Sequence, residues 1–348
     1  ALGPASIGFD SLLYICYFLA IATTNQLGTA IANNDEEEQQ KITSNNLGVG
    51  IVVGLSVMGL IYGQGHQIMK FLVGADNVNL IPSALSYAQI RCSTVLASLF
   101  LMVTQAASFS YLDTATPVIA VLTATLINCI GDYILCIVCN FGIKGAAFAT
   151  ALGQLVAGLV MLVRMRKSLT KGNKPMITFP APKELIKLVK LAGPILFLIV
   201  GELACHMIMT KRVTTFSVLD LAAHSVLLRI YIFFGIFGES LSQTVQSFFP
   251  RLLPNKDDEI SVKIAEKKKS LNKIFRSKLW NLSFPIGLLG SVLAFIACAY
   301  KGNFFVSDPQ VLSGLKVAAP FMGSVLMLNP YNMMSDGLAM SQRQFTSI

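Results

Sequence analysis

Nine apolar stretches, each long enough to cross a bilayer as a helix, divide this chain of 348 residues and leave it little choice of fold. They run at roughly 6–32, 43–65, 82–110, 115–140, 143–166, 184–211, 218–249, 276–300 and 310–340. Within hydrocarbon the chain must satisfy its own backbone donors and acceptors, and apolar segments of this length do so as helices. Hydrophobic residues make up 54% of the chain and charged residues only 13%, against about 25% charged in soluble domains. A soluble fold would expose too much of that apolar surface. The expectation is an all-α, polytopic, multi-pass membrane protein.

The net charge of +9 is unevenly placed. Eight basic residues fall within 164–190 and eight more within 256–278, and the positive-inside rule puts both loops on one face, cytoplasmic or equivalent. Alternating nine spans gives the same result. Such patches also occur in nucleic-acid binders, but the membrane-like remainder argues against that partner. Within 256–278, Ile260, Ile264, Leu271 and Phe275 recur at helical spacing between lysines, the pattern of a surface helix on anionic headgroups. The seven cysteines all lie in or beside apolar segments and read as packing residues, the Cys136/Cys139 pair included. The chain begins at Ala1 without a Met and stops at Ile348 in mid-pattern, so it reads as part of a longer protein.

Three sections follow: a bundle at 1–168, a basic linker at 169–183 marked by Pro175, Pro180 and Pro182, and a bundle at 184–348. SLLYICYFLAIATTNQ from Ser11 resembles SVLLRIYIFFGIFGES from Ser225, which aligns Asn25 with Glu239. Six spans separate the copies, so both cross in the same direction, as in parallel-repeat transporters.

Asp132 is the only charge in residues 117–140. A carboxylate at that depth costs about 2.5–3.5 kcal/mol on insertion scales, so it normally serves a cavity, a partner or an ion path. Asn128 precedes it by one turn, on the same face. Asp132 and Thr150 stand nine residues either side of Phe141, at the centre of the turn CNFGIKG, so both sit about 13 Å from that surface. Carboxylate, amide and hydroxyl at one level suit a proton or a hard cation, although a structural polar network between helices is also common. Glu202, in GPILFLIVGELACHMI, is a second candidate proton carrier, with Arg229 or His206 as possible structural partners. Glu239, Ser242, Gln243, Thr244 and Gln246 crowd GESLSQTVQSFFP with hydrogen-bonding groups, and Asp336 joins them as candidate cavity lining. His66, His206 and His224 lack metal-ligand spacing and read as satisfied or snorkelling side chains, and Arg91 and Arg229 as partners of acids or groups that face a cavity. Phosphate loops, nucleophile elbows and Cys/His clusters are missing from the sequence, which argues against an enzyme.

These segments resemble the multidrug and toxic compound extrusion (MATE) family, in its DinF-like eukaryotic branch that includes plant plastid exporters. ALGPASIGFDSLLYICYFLAIATTNQLGTAIA resembles that branch's second helix, INCIGDYILC its fifth, GIKGAAFATALGQ its sixth and GESLSQTVQSFFP its eighth. The resemblance implies two pseudo-symmetric six-helix bundles around a cavity open alternately to either side, with about nine of twelve spans present here. It implies an antiporter that exports small organic solutes, organic cations or aromatic acids, in exchange for H⁺ or Na⁺, with no other cofactor. Asn128, Asp132 and Thr150 match the family's first-bundle cation site and Glu202 a second-bundle acid, while Glu239, Gln243, Gln246, Asp336 and Asn25 would face substrate. It also implies a monomer among membrane lipids, in the plastid envelope or otherwise in the plasma or vacuolar membrane. A first helix carrying a further acid would precede Ala1, and two helices would follow Ile348. A flippase for lipid precursors would need a basic cavity where this chain has acids; a non-transporting remnant is the other rival.

Overall fold

The computed structural model describes residues 2–73, 81–169, 175–213, 215–252 and 262–342. These residues form helices and short connections, with no strand among them. Eight helices are long and apolar enough to span a membrane, and a bent pair makes a ninth, in agreement with the nine apolar stretches. The basic segment at 256–278 lies partly outside the described residues, as do five residues of the 169–183 linker. From Val262 onward the basic segment is continuous with the following span, one helix of 38 residues, and so differs from the separate surface helix that its spacing predicts.

Two compact units emerge, Ala1–Ile199 and Val200–Ile348. The first contains α1 (Leu2–Ile15), α2 (Phe18–Ala32), α3 (Glu36–Val73), α4 (Ile81–Cys92), α5 (Val95–Ser110), α6 (Ala115–Asp132) and α7 (Gly142–Leu169). Helix α8 (Pro182–Val213) runs across the boundary, with Pro194 inside it. Helices α4 and α5 meet at 51° around Ser93 and Thr94, a break that the apolar pattern does not signal. Phe9, Ile61, Met69, Ile81, Tyr87 and Leu99 form one core of this unit, and Leu19, Leu27, Leu47, Val103 and Met161 another.

The segment before α8 is tied along α3. Thr178 donates its backbone N–H to Ser44 O (3.2 Å) and its hydroxyl to Asn45 Oδ1 (2.6 Å). Glu184 pairs with Lys41 and accepts from Asn45 Nδ2 (2.9 Å) and Ala181 N (3.1 Å). Polar side chains on the first turns of α3 thus hold a connection that has little apolar surface of its own.

The second unit is built from α9 (Val218–Phe248), α10 (Val262–Ala299) and α11 (Pro309–Gln342), with α11 packed against both others. Ser217 caps α9 by accepting from Asp220 N at 3.0 Å. Leu241, Val245, Phe249, Leu279 and Met334 fill one end of the core, and Ile230, Ala294, Cys298, Ala319 and Leu326 the other.

Candidate functional site

The turn between α6 and α7 is set by Asn140 and Gly142, whose φ angles of 56° and 54° lie in the left-handed region that Asn and Gly tolerate. It returns the chain antiparallel, and small residues then bring the two backbones together. A Cβ on Gly145 would stand 2.9 Å from the Leu135 carbonyl, and one on Gly153 2.8 Å from Ala124 O. In a membrane, where apolar burial gives no driving force between helices, such close backbone approach supplies van der Waals contact. Thr150 lies between these two glycines and meets Asn128 of α6 at 2.9 Å.

The Asn128 amide is oriented by its neighbours. With its oxygen accepting from Thr150 Oγ1 (2.9 Å) and Thr150 N (3.0 Å), its nitrogen donates to Asp132 Oδ2 at 3.3 Å. The three residues singled out by spacing about Phe141 are therefore brought together. Asp132 ends the regular part of α6, and a π-helical turn, Tyr133–Val138, follows at once. Such turns widen the helix and recur at functional sites. Asp132 Oδ1 is buried and has no hydrogen-bond partner among the described residues. A carboxylate with one oxygen held and the other bare is a place for a proton, or for a small cation that can also reach the amide and hydroxyl oxygens.

The second predicted acid belongs to a different cluster, within the second unit. Glu202 Oε1 stands 4.0 Å from His206 Nε2, one turn along α8, so His206 is a basic neighbour. The Glu202 charge also acts on Asp336 of α11, which accepts from Asn332 Nδ2 at 3.3 Å. His224 Nε2 lies 3.3 Å from Thr210 Oγ1. Among the described residues no three of His, Cys, Asp and Glu gather as a metal site would require.

The polar run on α9 is split by burial. Ser242 and Gln246 are buried and joined at 3.2 Å, while Glu239 and Gln243 are partly exposed. Asn25 is buried in α2, donating its amide to Ile21 O at 3.0 Å.

Two polar groupings go beyond the sequence reading. Arg91, buried where α4 breaks, donates to Asp10 of α1 (3.2 Å) and to Tyr87 Oη (2.9 Å), and lies over the Phe9 ring at 4.9 Å. Arg91 was expected to pair with an acid, but nothing in the sequence indicates Asp10 across 81 positions. Asn46 of α3, buried, donates to Thr23 Oγ1 (3.0 Å) and Gln26 Oε1 (3.2 Å) of α2. The polar run TSNN within an otherwise apolar stretch is the only signal for it.

The fold defines an all-helical, multi-pass membrane protein, and comparison with known proteins agrees. The MatE family model matches residues 2–134. The chain is 31% identical over 347 residues to Protein DETOXIFICATION 47, chloroplastic, of Arabidopsis thaliana, covering 99% of this chain and 61% of that protein. Protein DETOXIFICATION 43 of the same plant is 22% identical over 300 residues, covering 83% and 54%. This chain therefore spans a little over half the length of these curated relatives. Among solved structures, an Asp-to-Asn mutant of the Vibrio cholerae MATE transporter VcmN superposes with a TM-score of 0.80 at 16% identity, covering 99% of this chain and 78% of that one. An outward-facing multidrug resistance MATE transporter gives 0.76 at 15% identity, covering 98% and 75%. The chain is thus similar to MATE transporters over nearly its whole length, with the MatE family model matching its N-terminal part.

Proposed function

We propose that the protein carrying this chain is a secondary antiporter that exports small organic solutes in exchange for H⁺, with Asp132 in the coupling site. The observation that carries this reading is the bare, buried Oδ1 of Asp132 beside an otherwise satisfied Asn128–Thr150 pair. Protonation removes the cost of an uncompensated charge inside a membrane and makes the carboxyl a donor as well as an acceptor. A proton on Asp132 therefore favours one arrangement of α6 and α7 and its loss another. A ligand shifts a conformational equilibrium only through such a difference between states. Among the described residues this set holds one carboxylate; a proton needs no more, whereas a metal cation would take further anionic oxygens.

Glu202, with Asp336, serves as a second proton-binding group in the C-terminal unit. Substrate contact falls to the polar face of α9, at Glu239, Gln243 and Gln246. The acids there favour organic cations, whereas the likeness to chloroplastic relatives supports a plastid-envelope protein. The test is efflux from proteoliposomes by the full-length gene product, with tetraphenylphosphonium and benzoate as probes and either a pH or a Na⁺ gradient imposed. Efflux driven by the pH gradient is expected. Efflux driven by Na⁺ alone, or by neither gradient, contradicts the reading.

A further inference from the structure

Glu202, His206 and Thr210 follow one another at intervals of four along α8, so their side chains form a single file on one face. The file leads from the middle of the span toward the α8–α9 turn, on the side opposite the two basic loops. At its outer end it crosses to the next helix, because His224 Nε2 lies 3.3 Å from Thr210 Oγ1. At its inner end His206 Nε2 faces Glu202 Oε1 at 4.0 Å. Thr210 is fixed from below by donating its hydroxyl to His206 O at 2.9 Å. His206 and His224 are also near enough to sense each other's charge. Both histidines are partly exposed rather than part of a core.

We propose that His224, Thr210 and His206 form a proton path that loads and unloads Glu202 from the α8–α9 side of the membrane. The proposal rests on the antiport reading above and adds the route that the proton takes. In the last step the Nε2–H bond of protonated His206 breaks and an O–H bond forms on the Glu202 carboxylate, leaving a neutral imidazole. That imidazole keeps its Nδ1–H; its bare Nε2 is reprotonated from protonated His224, through the Thr210 hydroxyl or a water once the ring turns back from Glu202, and His224 recovers its proton from solvent. Imidazole suits this role because its ordinary pKa is near neutrality. The other ionisable groups toward this end are Lys211 and Arg212 of α8, Asp220 and Arg229 of α9, Lys301 and Asp308 between α10 and α11, and Lys316 of α11, while Asp336 of α11 neighbours Glu202. Arg212 lies over Phe216 at 5.5 Å and Asp220 is bound by Ser217 at 2.7 Å, so both are engaged at the surface, outside the file.

The experiment compares the full-length protein with His206→Gln and His224→Gln in proteoliposomes, measuring pH-gradient-driven efflux across a range of pH on the α8–α9 side. The path predicts that each variant loses roughly tenfold or more in rate near neutral pH, in the range of a lost acid–base group. Equilibrium substrate affinity stays at the wild-type value. The rate recovers as pH falls, when direct protonation of Glu202 replaces the path; a folding defect would show no such recovery. Wild-type rates and pH profiles in both variants overturn the path and leave antiport intact. Absence of gradient-driven efflux from the wild type overturns the antiport reading itself, and the path with it.

Discussion

The Thr150 hydroxyl meets the Asn128 amide at 2.9 Å, joining α7 to α6 one helical turn from Asp132. This contact exists because glycines either side of Thr150 let the two backbones touch. The site and the packing are thus one feature, and they fail together. Gly153→Leu is expected to force the helices apart, since even a Cβ there would stand 2.8 Å from Ala124 O. Overpacking of this kind costs about 1–3 kcal/mol. Thermal unfolding in detergent should show the loss, with gradient-driven efflux reduced in parallel.

Thr150→Val keeps the volume and removes the hydroxyl. The Asn128 oxygen then loses one of its two donors, at a cost of about 1–3 kcal/mol for a partly unsatisfied buried group. Coupling should weaken more than stability does, read as efflux that follows the pH gradient less steeply. Thr150→Ser, which retains the hydroxyl, should behave close to wild type.

The ion pair between α1 and α4 predicts an asymmetry. Arg91 is 6% exposed at its side chain, but Asp10 is 57% exposed. Asp10→Ala leaves a buried guanidinium with only Tyr87 and the Phe9 ring, whereas Arg91→Met leaves a carboxylate that water reaches. Stranding a buried charge costs roughly 3–5 kcal/mol. Asp10→Ala should therefore lower the unfolding temperature more than Arg91→Met; the reverse order would refute the pair as described.

Lys41 and Glu184 are 48% and 28% exposed, so their coupling should be modest, about 0.5–1 kcal/mol in a double-mutant cycle. The larger effect of Glu184→Ala is local, because Asn45 and the Ala181 N–H lose their acceptor as well. Limited proteolysis within 175–181 should become faster in that variant and stay slow in Lys41→Ala.

Asp113, in the connection before α6, has its pKa held below the ordinary carboxylate value, chiefly by a side-chain hydrogen bond from Thr116. A depressed folded pKa contributes stability above the unfolded value, near pH 4, and that stability is lost as pH falls through the lower folded value. Asp113→Asn should be less stable than wild type at pH 6, and the difference should shrink as pH falls below about 4.

Much of this was legible in the sequence, for physical reasons. Span number follows from apolar length alone, because the bilayer fixes how many residues a helix needs. The Asn128–Asp132–Thr150 grouping follows from one turn, since residues equidistant from it on antiparallel helices share a depth. The break between α4 and α5 was not legible: Ser93 and Thr94 are ordinary in membrane helices, and packing decides whether they bend. The same holds for the π-turn after Asp132. Asp10 and Arg91 come from α1 and α4, which no single turn connects, so nothing in the sequence sets their register. The histidines, read as merely satisfied, took on a direction only when α8 and α9 were seen together.

The most direct test of the central claim is proton-coupled efflux by Asp132→Asn and Asp132→Glu in vesicles under an imposed pH gradient. The account predicts that the asparagine variant binds substrate but no longer follows the gradient, while the glutamate variant retains part of the coupling. Gradient-driven efflux at the wild-type rate in Asp132→Asn would contradict it.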